Sequence, residues 1–540
     1  MGKVGTIARR GFLLGAVAVA GGAAFGYWRY RTPFENPLAA GLAEGEAALT
    51  PYVKVAADGI TIYSPRSEMG QGVLTTLPAL VAEELDVDLA DVKVEHAPAG
   101  DAYFNTAVLE ETLPFPSYDR GAVAETARGA LGVAAKLVAT TQTTGGSSSV
   151  PDAYEKLRTA GAAARVALVR AAAARLGVEE TALKTESGAV IAPDGSRIPY
   201  ADLAAEAATV ELPDEVPLKP RSEWRLLGKS QPRTDMVAKS TGTATFGVDV
   251  RREGMLYATV RMNPRIGGEV LGFDATAAEA MRGVKKIAAI PGGIAVIATN
   301  TWYAMEAARA IDADWGEAPY PPSTEEHLSA VEASFTDDRQ DSRHRDDGDV
   351  EAALPADAPV MAYRVPYLAH ATMEPVNATA LVGETGVEVW VGTQNPTRAR
   401  DVAAEAAGVD RDDVKVETVF LGGGFGRRGE SDFVARAVEV AKLMPGVPVK
   451  TTFSREQDMC QDFYRPIAAA RIRGAVADGR LAALDVKVAA PRAAAGIAAR
   501  TGVPFAGPDP TIVQALWDQP YDVPDRRVTG YAAPTMLPVG

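Results

Sequence analysis

A chain of 540 residues with 47% apolar and 23% charged side chains has room for about three or four domains of ordinary size, and its composition is that of neither a disordered nor a polytopic membrane protein. Fifty-five basic residues against 70 acidic ones leave a formal charge of -15, which repels phosphate backbones and argues against nucleic acid as a partner. One cysteine, Cys460, and four scattered histidines, His96, His327, His344 and His370, supply neither a disulfide framework, nor an iron–sulfur cluster, nor a recognisable zinc spacing. The expectation is that no metal is held by protein ligands and that any metal arrives inside an organic cofactor.

Lys3, Arg9 and Arg10 precede an apolar, glycine-rich run from Gly11 to Trp28, the layout of an export signal over residues 1–31. Adjacent arginines followed by Phe12-Leu13 resemble a twin-arginine signal, a route that carries folded, cofactor-loaded proteins to the periplasm. No clean Ala-x-Ala site closes the run, so an uncleaved membrane anchor is one alternative and a plain buried helix is the other. Residues 32–50 read as a tether. Val53–Val55, an Asp58-Gly59 turn and Ile60–Tyr63 form a hairpin signal, followed by a helix over Thr75–Leu85 and a strand over Val92–Glu95. Ala82–Glu95 aligns without a gap to Ala404–Glu417, both ending Asp-Val-Lys-Val-Glu. Chance likeness in an alanine-rich chain is the plain reading, and two copies of one helix-to-strand unit the sharper one.

Further helices are expected over Arg120–Thr140, Asp152–Leu176 and Ala201–Ala208, with a strand-turn-strand around Pro193-Asp194-Gly195. The alanine-rich 160–175 stretch suits close packing on a sheet. Pro213, Pro217 and Pro220 mark a boundary. Residues 222–320 form a β-rich block with a helix near 301–312, residues 321–355 read as a solvated linker, and 356–540 return to mixed strands and helices. The fold class is α+β, with a first domain over 50–215.

Four short segments stand out. Glu68-Met69-Gly70-Gln71-Gly72 sits between a strand and a helix, and Val391-Gly392-Thr393-Gln394-Asn395-Pro396 repeats that placement of a glutamine amide. Thr144-Gly145-Gly146-Ser147-Ser148-Ser149 offers hydroxyl and amide donors suited to phosphate oxygens, although a flexible linker has the same composition. Leu421-Gly422-Gly423-Gly424-Phe425-Gly426-Arg427-Arg428 permits positive φ angles and bare backbone N–H groups, as either a tight turn or a cofactor loop; it lacks the spacing of a nucleotide P-loop.

Taken in chain order, the four segments resemble the molybdenum-binding large subunit of the xanthine dehydrogenase and aldehyde oxidase family, above all isoquinoline 1-oxidoreductase and its exported relatives, in which the glutamine-glycine segment precedes the glycine-phenylalanine loop. Gly228–Asp235 through Phe246–Asp249 is similar to the start of that family's hammerhead domain, and His370–Pro375, Ser454–Asp458 and Tyr464–Pro466 are similar to further family segments. The resemblance implies two duplicated molybdopterin-binding α+β domains with an inserted hammerhead domain over 222–320. It implies molybdopterin, in its cytosine dinucleotide form, with molybdenum. Gly423, Gly424, Phe425 and Gly426 would present amides to the metal centre and pterin, Gln394 would reach an oxo ligand, Gly70, Gln71 and Gly72 would hold the pterin, and Gly145, Gly146, Ser147, Ser148 and Ser149 would take pyrophosphate or ribose oxygens. The implied reaction is hydroxylation of a small molecule, an N-heterocycle or aldehyde, with oxygen from water, the electrons leaving to a small 2Fe-2S subunit and then an acceptor such as a cytochrome. It assigns no catalytic residue. The family's proton-accepting glutamate has no counterpart at Gly383-Glu384 or Gly429-Glu430, and Glu374 is the candidate neighbour of the pocket. The sequence-based expectation is therefore a second domain that is C-terminally incomplete. The alternatives are an inactive remnant of such a subunit or a secreted two-lobed binding protein.

Overall fold

The computed structural model describes residues 34–540 apart from Pro114, Ser117, Ala139, Asp214, 502–504 and Ala506. The expected export signal and anchor lie outside the described residues. No described helix is long and apolar enough to cross a membrane.

The first lobe grows from the expected hairpin. Val53–Ala56 and Gly59–Ser64 pair antiparallel with Val53 opposite Ile62, and Gly59, at φ +132°, makes the turn that a Cβ would resist. Ala47–Thr50 adds on one side, and Val92–His96 runs parallel to Gly59–Ser64 on the other, with Ile60 opposite Val92. Parallel neighbours need a crossover, which the helix Val73–Leu85 supplies, burying Leu77, Val81 and Leu85. The long helix Ser149–Leu176 covers the same core. Its small residues work as expected, but the close neighbour is a helix rather than the sheet alone: a Cβ on Gly161 would stand 2.6 Å from the Val81 carbonyl oxygen.

The same unit recurs. Val387–Val391 and Val414–Thr418 are parallel, with Val387 opposite Val414, and the helix Pro396–Ala407 crosses between them. Both copies end their helix in a left-handed residue, Asp86 at φ 58° and Gly408 at φ 78°, then pass through a short 3-10 turn into the second strand. These are aligned positions of the repeat seen in the sequence, so the duplication is structural and not a coincidence of composition.

Two expectations about boundaries change. The β-rich block keeps only a two-stranded sheet to itself, Val270–Asp274 with Asp312–Trp315: Leu256–Met262 pairs parallel with Val449–Thr452, and a seven-stranded sheet runs continuously from Val284–Ile290 to Val414–Thr418. The expected linker is folded. Within it Thr324–Glu332 is a helix, and Gln340–Asp347 is an edge strand of a five-stranded sheet, paired antiparallel with Asp525–Ala532. The charges that suggested solvent are satisfied there by the edge position, where one row of side chains and one row of amides face water.

Candidate functional site

The parallel strand pair of each unit ends at the same place, and ligand-binding loops in such units sit beyond the carboxyl ends of the strands. From Gly59–Ser64 the chain runs into Ser67–Gly72. Glu68 is 0% exposed and organises this loop: its carboxylate accepts hydrogen bonds from the amides of Gly70, Gly72 and Leu74 at 2.8, 3.2 and 3.1 Å and from Arg233 at 2.9 Å. Burial opposes its charge, but the amides of Leu74, Gly72 and Gly70 and the charge of Lys239 outweigh that and hold the carboxyl below its ordinary range. Gln71 is exposed, and its amide is used locally, accepting from the Met69 N–H at 2.7 Å and donating to the Ser67 carbonyl at 2.9 Å.

Thr144 to Ser149 lies directly beside it. Ser67 N–H donates to Thr144 Oγ1 at 2.9 Å, and the buried pair Arg66–Asp152, 2.5 Å apart, ties the same strand exit to the first turn of the helix Ser149–Leu176. Gly146 and Ser147, at φ 57° and 51°, are exposed, while Ser148 turns inward between Gly145 O and Asn105 Nδ2. The N-terminal end of a 28-residue helix therefore opens at a turn of small residues, the arrangement that favours an anion.

The second unit brings the other two segments. Gln394 is 4% exposed and joins three loops: its N–H donates to Arg428 O at 2.8 Å, its side chain donates to Thr144 O at 2.9 Å and accepts from Gly426 N–H at 3.1 Å, and its carbonyl accepts from Thr144 N–H at 2.8 Å. In Gly422–Arg428, Gly423, Phe425 and Gly426 have φ of 103°, 56° and 103°. A left-handed phenylalanine that is also 74% exposed is strained and out of the core at once. The N–H groups of Gly423, Gly424 and Phe425 donate to no acceptor among the described residues.

A fifth segment, His370–Glu374, runs alongside this loop. Glu374 Oε2 accepts from Gly422 N–H and from the fully buried Arg428, both at 2.9 Å; Thr372 faces Gly423; and the ring nitrogen Nε2 of His370 lies 3.7 Å from where a Cβ of Gly426 would stand. Asp462 accepts from His370 N–H and Nδ1 at 2.6 and 2.9 Å. Burial opposes the Asp462 charge, and the His370 bonds with Arg427 more than offset it, so this carboxyl titrates low.

The two units meet here through His96. Its Nε2 accepts the Glu68 N–H at 3.0 Å and its ring stacks edge-on to Phe420 at 5.6 Å. Burial pushes its pKa down to about 4, so it is neutral in the working range. Leu421 N–H reaches Glu68 O at 3.4 Å, and Met69 meets Gly424, where a Cβ would lie 2.5 Å from Met69 Sδ and 2.8 Å from Gln394 Oε1.

Four segments separated by up to 356 positions, Gly70–Gly72, Gly145–Ser149, Gln394 and Gly423–Gly426, thus share one surface. Sequence reasoning gave no role to Glu68, although it lies in a segment singled out, nor to His96 or Asp462; the bonds Glu68–His96, Glu68–Arg233 and Asp462–His370 span 28, 165 and 92 positions. Two cavities of about 740 and 730 Å³ lie elsewhere, the first around Ser431, Lys442 and Arg500 and the second around Asn263, Phe273 and Arg436. Neither is lined by Gln71, Ser147 or Gly424, and the unpaired amides and strained backbone identify the loop surface, not these two hollows, as the candidate site.

The chain is similar to known proteins over most of its length. The family model for the molybdopterin cofactor-binding domain matches residues 335–540. The chain is 30% identical to the beta chain of isoquinoline 1-oxidoreductase from Brevundimonas diminuta over 90% of its length, covering 64% of that protein. It is 29% identical to the membrane-bound aldehyde dehydrogenase of Gluconacetobacter polyoxogenes, whose name specifies pyrroloquinoline-quinone, over 90% of the chain and 60% of the relative. It is 28% identical to a nicotinate dehydrogenase subunit of Pseudomonas putida over 92% of the chain and 40% of the relative. The chain thus spans about two thirds or less of the length of these curated relatives.

Proposed function

We propose, from the match of residues 335–540 to the family model for the molybdopterin cofactor-binding domain, that the whole chain is the cofactor-holding part of a molybdenum hydroxylase. When bound, the molybdenum-bearing pterin, in its cytosine dinucleotide form, supplies two-electron oxidation of an N-heterocycle or aldehyde with oxygen taken from water. The residues present fit such a group. Three unpaired amides in Gly423–Phe425 offer donors without side-chain obstruction, and the loop has the left-handed turns that expose them. Gly146, Ser147 and the start of the helix Ser149–Leu176 offer donors for the cofactor's phosphates. Gln394 and Gln71 have their oxygens and one N–H each engaged within the protein, so each retains one N–H for the group and otherwise fixes loop geometry. Electrons leave through a separate 2Fe-2S subunit to an acceptor such as a cytochrome, a reading supported by relatives that are themselves named as subunits. Periplasmic export through the Arg9-Arg10 signal completes the reading.

The observation that supports it most is the direct hydrogen bonding of Thr144 in the serine-rich turn with Gln394, and of Gln394 with Gly426 in the second repeated unit, around bare glycine amides. The test is the purified chain, expressed where the cofactor is made, assayed for molybdenum by mass spectrometry and for pterin by its oxidised fluorescent derivative. About one of each per chain is expected. A folded chain with neither refutes the proposal.

A further inference from the structure

The turn Met69–Gly72 has little conformational preference of its own. Gly70 and Gly72 sit at φ 113° and 91° with open space where a Cβ would stand, so packing does not select their conformation. Bonds from outside the turn do. They come from the connector that leads out of the first lobe into the β-rich block.

Arg233 lies on that connector and its guanidinium faces two ways. Nε and Nη2 grip Asp235 at 2.9 and 2.8 Å, while Nη1 and Nη2 reach the Gly70 carbonyl oxygen and Glu68 Oε1 at 2.8 and 2.9 Å. Asp235 is buried and anchors the fork. Burial opposes its charge, but the bonds from Arg233 and Lys239 more than offset this and hold its carboxyl at about 2. Lys239 reaches Asp235 at 2.5 Å and lies 4.9 Å over the Phe420 ring. Two carboxylates and two cations thus close around Glu68, which in turn holds the amides of Gly70, Gly72 and Leu74. A planar guanidinium can grip one carboxylate with two nitrogens and still reach a second carboxylate and a carbonyl, and an ammonium cannot.

The same connector continues onto the second lobe. Thr245 O accepts the Phe420 N–H at 3.2 Å, Phe246 forms a parallel bridge with Phe420, and Val248 N–H donates to Glu374 Oε1 at 2.9 Å. Glu374 itself holds Gly422 N–H. One run of chain therefore touches the anchors of both glycine loops, and Met69 of the first loop packs against Gly424 of the second.

We infer that Arg233 is the positioning residue of the Gly70–Gly72 turn, and that the connector from Arg233 to Val248 is a brace fixing that turn against the Gly423–Gly426 loop. The consequence for the pterin rests on the cofactor reading above; the geometry of the brace does not.

Two measurements on the full chain test it. Hydrogen–deuterium exchange of peptides spanning Glu68–Thr75 reports the three amides held by Glu68. In Arg233→Lys, which keeps the charge and loses the fork, these are expected to exchange about tenfold faster or more. Asp235→Asn, close in shape, is expected to do the same by releasing the fork. Peptides from the distant strand pair Ala468–Ala477 and Arg480–Ala490 should not change. In chain loaded where the cofactor is made, molybdenum should be lost on dialysis about tenfold faster or more from both variants. Wild-type exchange in Arg233→Lys overturns the inference, because a positive charge then suffices. A rise shared equally by the distant strands marks general loosening and overturns it as well. Wild-type molybdenum loss from a variant whose turn exchanges faster overturns the link between brace and cofactor. A wild-type chain holding neither molybdenum nor pterin refutes the cofactor reading alone, and the exchange result still decides the brace.

Discussion

Gly424 packs against Met69 of the first lobe and Gln394 of the second, and Gly424→Ala tests whether that contact seats the cofactor. The new Cβ would stand 2.5 Å from Met69 Sδ, 2.8 Å from Gln394 Oε1 and 3.3 Å from its Cδ, whereas carbon contacts settle at about 3.5–4.0 Å. The loops must separate by about 1 Å. Met69 can rotate away, but Gln394 is buried and held by Thr144 O and Gly426 N–H. Relief therefore means either an overpacked contact at about 1–3 kcal/mol or a lost hydrogen bond at about 0.5–1.5 kcal/mol. If that shift displaces the cofactor's seat, roughly 1.5–3 kcal/mol corresponds to about a 10- to 150-fold loss in retention. The assay is molybdenum per chain after exhaustive dialysis, with Gly429→Ala as a control, because a Cβ there meets nothing within 4 Å. Wild-type molybdenum content in Gly424→Ala, with an unchanged unfolding temperature, would refute the packing argument.

Two further outcomes follow from buried charge. Glu374→Ala leaves Arg428, 0% exposed, without its carboxylate; an uncompensated buried charge costs about 3–5 kcal/mol, so the urea midpoint of this lobe should fall clearly, and an unchanged midpoint would contradict the pairing. His96 titrates near 4 in the folded chain and near 6.5 when unfolded. The unfolded state then binds the extra proton first as pH drops, so stability is complete above about 6.5 and declines toward pH 4, by on the order of 3 kcal/mol. His96→Gln should flatten this part of the stability–pH curve, measured as urea midpoints at pH 7 and pH 4.5, and equal slopes in the two proteins would rule it out.

Sequence by itself determined the local elements. The Asp58-Gly59 hairpin, the helix ending at Leu85 and the duplicated Asp-Val-Lys-Val-Glu strand depend on turn chemistry and periodicity within a few residues, and the structure repeats them almost to the residue. The glycine loop and both glutamine turns were also visible, since bare amides and small residues are properties of the residues themselves. Tertiary structure alone decided what those groups are free to do. The polar run from Gln340 to Asp347 is a strand because its partner lies about 180 residues later, and charge patterning carries no record of a distant edge. The β-rich block joins a sheet with the last domain for the same reason. Gln71 and Gln394 turn out to be largely engaged, Glu68 and Glu374 to be anchors, and His370 to be aimed by Asp462 from 92 positions away. Hydrogen-bonding capacity is written in residue type, but whether it is already spent depends on neighbours that only folding brings within 3 Å.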